Sequence, residues 1–257
     1  MCNKTVCGKA VCGNLVLRPD FLRSDAFSLL CYPSTNLSAE RIGELEQLGI
    51  VGFHCFGPKR IHRWRCLGMG YCGLVLLVQL QGQVAALKVR RTDAPQDDFE
   101  AEASGLAIAN QTQVGPSLIA HTQNFLLMDY APGQPLSQWL SKTPRRDIAL
   151  RATRDLLAQA FRLDQAGIDH GNLRCVTNHV VINNHQPTIL DFSSASFYRR
   201  AANVTTMMQG LFWGTVIAQQ MQSIGLCIDK ESSIQQLRRY KKAPRLDNFE
   251  RLLDLLN

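Results

Sequence analysis

Hydrophobic positions along this chain fall into two textures. From Ile61 to Met128 they come in short runs punctuated by glycine: Ile61–Leu67, Leu74–Leu80, Gln83–Val89, Val114–Ala120 and Asn124–Met128. Runs of this length, bounded by turn residues, predict β-strands. Gln81-Gly82 is the expected hairpin turn between the second and third. One helix interrupts them, over Asp97–Asn110, with Phe99, Ala103, Leu106 and Ala109 along one side. Beyond Asp147 the period is helical. Asp147–Ala166 reads as a long helix stopped by Gly167, Thr205–Ile224 as a second, very apolar one, and Leu246–Leu256 as an amphipathic terminal helix. Between them Gly171–Asn178 reads as loop, with short strands at Val180–Ile182 and Thr188–Leu190 around Asn183-Asn184. Ala131-Pro-Gly-Gln-Pro135 reads as a linker. Near the amino terminus, residues 1–35 show no clear period. Ser38 then caps a helix over Ala39–Leu48 that ends at Gly49. The order is an amino-terminal extension with one helix, a β-rich lobe, a hinge and an α-rich lobe.

Composition narrows this only a little. With 46% apolar and 19% charged residues in 257, a packed core is within reach and general disorder is disfavoured. The net charge of +7 suits either a solvated basic surface or a polyanion such as ATP or RNA. The basic residues are scattered, without an aromatic-interleaved stripe, so there is no clear nucleic-acid motif. Nine cysteines without a Cys-x-x-Cys argue against zinc and suit a reducing, cytoplasmic setting. Cys2, Cys7 and Cys12 recur at a five-residue step. That reads as a soft-metal or lipidation site, or as coincidence in a loose tail. No signal-peptide pattern or membrane-length apolar run is evident.

Candidate chemistry changes the picture more. Gly68, Gly70 and Gly73 lie between two strands, where bare backbone can approach phosphate without Cβ clashes. A dinucleotide loop would open a helix instead, and the Gly-Lys-Ser/Thr ending of a P-loop is absent. Lys88 sits inside an apolar strand. It reads as a snorkelling strand-end lysine, or as a cation for the α- and β-phosphates held by a carboxylate. Of the two glutamates on the following helix, Glu102 shares the face of Phe99 and Leu106, and Glu100 faces solvent. Asp191 follows an apolar strand and precedes Phe192. It reads as a turn cap, or as a carboxylate holding Mg²⁺. In the loop Asp169-His170-Gly171-Asn172, a kinase normally offers an aspartate where Asn172 stands. Asp169 is a shifted substitute or a loop cap. Counting back from the next strand puts His179 in the place of a metal-binding asparagine.

Together these motifs resemble the protein-kinase-like superfamily over residues 60 to about 215. The carrying stretches are Leu67–Val75, Ala86–Ala94, Val114-Gly-Pro116, Asn124–Asp129, Asp169-His-Gly171 and Asp191–Ser196, continued by Arg199-Arg200 and Asn203-Val-Thr205. The closest resemblance is to small atypical kinases of the RIO/Bud type, and closer still to a group of predicted archaeal and bacterial Ser/Thr protein kinases. It implies an α+β, bilobal kinase-like fold, with an antiparallel β-rich N-lobe carrying one helix (58–131) and a short α-helical C-lobe (132–257), after an extension over 1–57. It further implies an ATP cleft between the lobes. Gly68, Gly70, Gly73, Val75, Ala86, Lys88 and Glu102 surround the nucleotide, Met128 guards its back, and Asp129 to Ala131 face adenine. Asp191 and His179 hold Mg²⁺, and Asn172 or Asp169 orients the acceptor. Asp-Phe-Ser stands in place of Asp-Phe-Gly, no Ala-Pro-Glu follows, and Asn172 replaces the catalytic aspartate. The implied activity is transfer of the γ-phosphoryl group of Mg-ATP to an unidentified protein substrate. A nucleotide-binding pseudokinase and a sugar- or aminoglycoside-type kinase are the alternatives.

Overall fold

A computed structural model of the protein describes residues 14–142 and 144–256; the Cys2, Cys7 and Cys12 pattern lies outside them. The α+β expectation holds. A seven-stranded antiparallel sheet, two small sheets and about eleven helical segments are present among the described residues. The chain divides into two compact units. One comprises the described residues up to Ala103 together with Ser117–Tyr130. The other comprises Ser104–Pro116 and the chain from Ala131 onward.

The first unit is built on β1 (Asn14–Leu17), α1 (Arg18–Arg23), α2 (Ala39–Gln47), β2 (Gly52–Cys55), β3 (Lys59–Ile61), β4 (Trp64–Cys66), β5 (Gly68–Met69), β6 (Gly73–Gln79), β7 (Val84–Arg90), the first turn of α3 (Glu100–Gln111), β8 (Leu118–His121) and β9 (Phe125–Asp129). The large sheet runs in the order β1-β2-β6-β7-β9-β8, with β5 hairpinned onto β6. Alternation assigns its two faces. Leu74, Leu76, Val78, Ala85, Leu87 and Val89 enter one core with Phe21, Leu29, Leu30, Leu45 and Phe53. Much of that core comes from residues 21–53, where the sequence showed one helix only. Each such side chain taken out of water contributes roughly 1.5–3 kcal/mol, so this segment is integral to the sheet. The signal was missed because Phe21, Leu29 and Leu30 sit in two short helical turns with no sustained period. The helix that was expected is present, with Ser38 Oγ accepting from the Arg41 N–H and Gly49 at φ +67° just beyond its end.

The expected strand Ile61–Leu67 is instead a hairpin of β3 and β4. His62, at φ +52°, turns the chain back so that Ile61 pairs with Trp64. The Gln81-Gly82 turn is as expected: Gly82 lies at φ +87°, and Leu80 N–H donates to the Gln83 carbonyl at 2.8 Å.

The second unit contains β10 (Gln134–Pro135), α4 (Leu136–Ser141), α5 (Arg146–Gln165), α6 (Val176–His179), β11 (Val180–Asn183), β12 (Gln186–Ile189), α7 (Asn203–Phe212), α8 (Val216–Ser223), α9 (Lys230–Lys242) and α10 (Leu246–Asp254). α5 buries Ala149, Ala152, Leu156, Leu157, Ala160 and Leu163 and packs on α7 and β12. Three expectations are corrected. The linker over 131–135 contributes β10, which pairs with β11. The loop over 171–178 ends in the single turn α6. The long helix over 205–224 is two helices. Gly214 at φ +70° leaves the helical region, and the Thr215 hydroxyl accepts from Ala218 N–H at 3.0 Å to start α8. Among the described residues no helix is long and apolar enough to cross a membrane, and the six described cysteines are free thiols.

Candidate functional site

In the first unit, the sheet face opposite the large core gathers several of the residues expected to meet a nucleotide. Directly opposed residues in antiparallel strands share a face. Lys88 opposes Val75 on one side and Leu126 on the other; Ala86 opposes Leu77 and Met128. Gly68 opposes Val75, and Gly73 opposes Arg90 at the end of the same face. Asp129 opposes Ala85, so its exposed side chain belongs to the other face.

Lys88 is 7% exposed and Glu102 8%. The ammonium donates to both carboxylate oxygens, at 2.7 and 2.9 Å, and lies 6.0 Å from the Phe99 ring centroid. The helix begins at Glu100, not at Asp97 as expected, and α3 supplies this partner because Ala103, with Phe99 just before the helix, packs with Leu126 against the sheet and turns Glu102 inward. Glu100 is exposed, 3.8 Å from His121. Two charges are withdrawn from water here, a costly arrangement unless both are satisfied.

The glycine hairpin closes at one end of this face. Gly70 N–H donates to the Gly73 carbonyl at 2.9 Å, and the exposed Tyr71 sits at the tip. The glycines differ in why they are bare. A Cβ at Gly73 would stand 2.8 Å from the Val89 carbonyl oxygen, so the packing of β6 on β7 requires glycine. At Gly68 and Gly70 the nearest atoms would be 3.6 and 3.8 Å away, and neither has positive φ. The fold itself does not demand glycine at those two positions.

In the second unit a polar cluster forms around the loop from Asp169. Asp169 and Ser196 exchange backbone hydrogen bonds, at 3.0 and 2.9 Å. The Asp169 carboxylate accepts from Arg199 Nε at 2.7 Å, and Arg199 Nη2 donates to the Ser194 carbonyl. Gly171, at φ +85°, passes under them; a Cβ there would stand 2.6 Å from both the Ser194 oxygen and the Arg199 guanidinium. Asn172 Nδ2 donates to Ser194 Oγ at 2.8 Å. Asp191 sits at φ +67°, a left-handed conformation that aspartate tolerates better than most residues. Its carboxylate lies 3.7 Å from His179 Nδ1 and 3.4 Å from the Ser193 N–H. Phe192 is buried, and Gly115 of the Val114-Gly-Pro116 stretch is bare because a Cβ would meet the Phe192 ring at 2.8 Å.

His170 is wholly buried. Nε2 faces the Leu190 carbonyl at 3.1 Å; a carbonyl only accepts, so this nitrogen carries the proton. Burial, reinforced by the neighbouring His179, depresses the imidazole pKa to about 4, so the ring is neutral.

Sequence reasoning missed the scaffold beneath this loop. Asp164 accepts four hydrogen bonds: from Asn203 N–H and Nδ2 on one oxygen, at 2.7 and 2.8 Å, and from Val204 N–H and the Tyr240 hydroxyl on the other, at 3.2 and 2.8 Å. Asn203 in turn accepts from His170 N–H at 2.9 Å and donates to the Ile168 carbonyl at 2.7 Å. Burial pushes the Asp164 carboxyl above the usual carboxylate range, against the pull of those donors, and raises the Tyr240 hydroxyl as well. One signal was readable: an aspartate four residues after Ala160 and adjacent to Leu163, on the buried side of α5. Its distant partner Tyr240 was hidden inside a basic run.

Mg²⁺ takes oxygen ligands, often one or two carboxylates completed by phosphates and water. Asp191 offers such an oxygen. Among the described residues no group of three His, Cys, Asp or Glu side chains forms a metal cage. A cavity of about 650 Å³ near Trp213, Val216 and Cys227, where α7 gives way to α8, contains none of the expected site residues. No protein-family model matches the chain, and no curated protein matches it.

Proposed function

We propose that this protein is an atypical, protein-kinase-like ATP-binding phosphotransferase that transfers a phosphoryl group to a protein hydroxyl. The observation that carries this reading is the buried Lys88–Glu102 pair on a sheet face that also presents Gly68, Gly73, Val75, Ala86 and Met128. Lys88 holds the α- and β-phosphates, kept in place by Glu102. The bare backbone at Gly68 and Gly70 lets the phosphate tail approach. Val75, Ala86 and Met128 bound the base, with the backbone of 129–131 beside it. In the second unit, Asp191 with His179 beside it would hold a Mg²⁺ ion, whose charge would offset that of bound phosphates. Asn172 orients the acceptor.

A second reading is favoured by one observation. Asn172 has no carboxylate, and the aspartate of the same loop, Asp169, is bound to Arg199. A module that binds nucleotide without transferring it would look the same. A positioned base contributes roughly 10²–10⁴-fold, whereas phosphoryl transfer rests mainly on positioning and charge stabilisation, so slow transfer is the expected behaviour.

Mg-ATP at ~100-fold above its Kd adds about 2.7 kcal/mol of stability, which a thermal melt reads directly. The parent is expected to be stabilised, and Lys88→Met and Asp191→Ala are not. If both variants respond like the parent, the site is misassigned. Transfer from γ-labelled ATP then separates the two readings. Labelling that increases in Asn172→Asp supports a transferase; Mg-ATP binding without labelling in either protein supports the binding module.

A further inference from the structure

The second unit carries a basic surface that its own fold leaves unbalanced. Arg238, Arg239, Lys241 and Lys242 crowd the carboxyl-terminal end of α9, with Arg245 just beyond, and all are exposed. Arg200 joins them by donating to the Lys241 and Lys242 carbonyls. Among the described residues none of these six is paired with a carboxylate. Other surface arginines do pair with acids, as in Arg63–Asp25, Arg91–Asp93 and Arg145–Asp147, whereas here five exposed cations lie within eight residues of chain. The negative end of a helix attracts cations, but Arg200 already occupies two of the last carbonyls of α9. The remaining like charges stand three and four residues apart on one helix, a spacing that is destabilising without a counter-charge.

The surface is continuous with the loop described above. Arg199 binds Asp169, and the fully exposed Tyr198 and the 42% exposed Phe197 link it to Ser196, which bonds the Asp169 backbone. Guanidinium forks match carboxylates in geometry, and exposed aromatic rings supply apolar contact beside them.

We propose that this surface binds a short acidic segment of a protein, and that the acceptor hydroxyl of the phosphotransferase lies in such a segment. The assignment of the acceptor rests on the phosphotransferase reading; the binding surface does not. The occupant is a peptide and not a polynucleotide because the track is short. Asp229 and Glu231 bound it at the start of α9, and Asp247 and Glu250 on α10 bound it beyond Arg245. A polynucleotide carries a charge on every residue and gains affinity with each phosphate neutralised, so these acids would oppose its passage.

Fluorescence anisotropy tests this without nucleotide. The probes are a labelled serine peptide flanked by Asp and Glu, the same peptide with Asn and Gln, and a single-stranded RNA of equal charge. The acidic peptide is expected to bind, and to lose about tenfold or more in affinity in high salt. It is expected to lose similarly in the combined variant Arg238→Glu, Lys241→Glu and Lys242→Glu, and in the milder all-Gln version. The Mg-ATP thermal shift is unchanged in both variants. Equal binding of the neutral peptide, undiminished binding by the variants, or tighter binding of the RNA would overturn the proposal. Peptide binding alongside an absent Mg-ATP shift upholds the surface and sinks the nucleotide reading, so the two fail separately.

Discussion

Lys88 shows how one side chain can be readable in sequence while its energetics are not. A lysine within Ala85–Val89 stands out because charge is rare in an apolar strand, and the helical period points at Glu102 and away from Glu100. The pair is bidentate and nearly dry. Removing one partner of such a pair typically costs about 3–5 kcal/mol, whereas replacing both with apolar groups is often neutral or stabilising. Lys88→Met alone is therefore expected to destabilise the first unit strongly, and Lys88→Met with Glu102→Leu to recover most of the loss. Urea unfolding of the two singles and the double measures the coupling. If the double variant is no more stable than the worse single, the pair contributes to the fold beyond its own charges.

Among the elements, the β5–β6 hairpin separates packing from function. Gly73→Ala drives a Cβ against the Val89 carbonyl and is expected to lower the melting temperature by several degrees. Gly70→Ala makes only an ordinary contact, 3.8 Å from the Gly73 carbonyl oxygen, so the melt is expected to stay at the parent value while Mg-ATP affinity drops about tenfold, the worth of one strained phosphate contact. Affinity unchanged in Gly70→Ala would remove this hairpin from the proposed nucleotide site. Elements with strong local signals were legible in the sequence: α2 with its serine cap, α5, the β6–β7 hairpin and α10. The illegible ones depend on distant partners. β1 and β2 exist because each has a neighbouring strand to pair with, β1 with β2 and β2 with β6. α9 is almost wholly polar, and Tyr240 is its principal anchor. The split of α7 from α8 turned on Gly214 and Thr215, two residues inside an otherwise uninterrupted apolar stretch. For the candidate site, the residue types were legible, but the partners that constrain them were not: Arg199 for Asp169, Ser194 for Asn172, Asn203 for His170.

For the whole molecule, the buried imidazole sets a pH dependence. The unfolded chain takes up a proton at His170 near the ordinary value of about 6.5, and the folded chain only near 4. Between these values the unfolded state binds more protons, so stability falls as the solution is acidified through that window and is fully present above it. The loss attributable to this group is at most about 3 kcal/mol. Urea midpoints measured with a chelator from about pH 7 down to about pH 4.5 are expected to slope downward in the parent and to flatten in His170→Gln. A variant with the parent's slope would assign the acid sensitivity to other groups.

The Tyr240–Asp164 hydrogen bond spans 76 residues. During synthesis Asp164, Asn203 and His170 are therefore all made well before the hydroxyl that completes their network. A nascent chain that stalls short of α9 leaves the Asp164 carboxylate missing one of its four donors, next to the loop that begins at Ile168. Quality control that senses loosened interiors would see such a chain as unfinished, however well its strands had already paired.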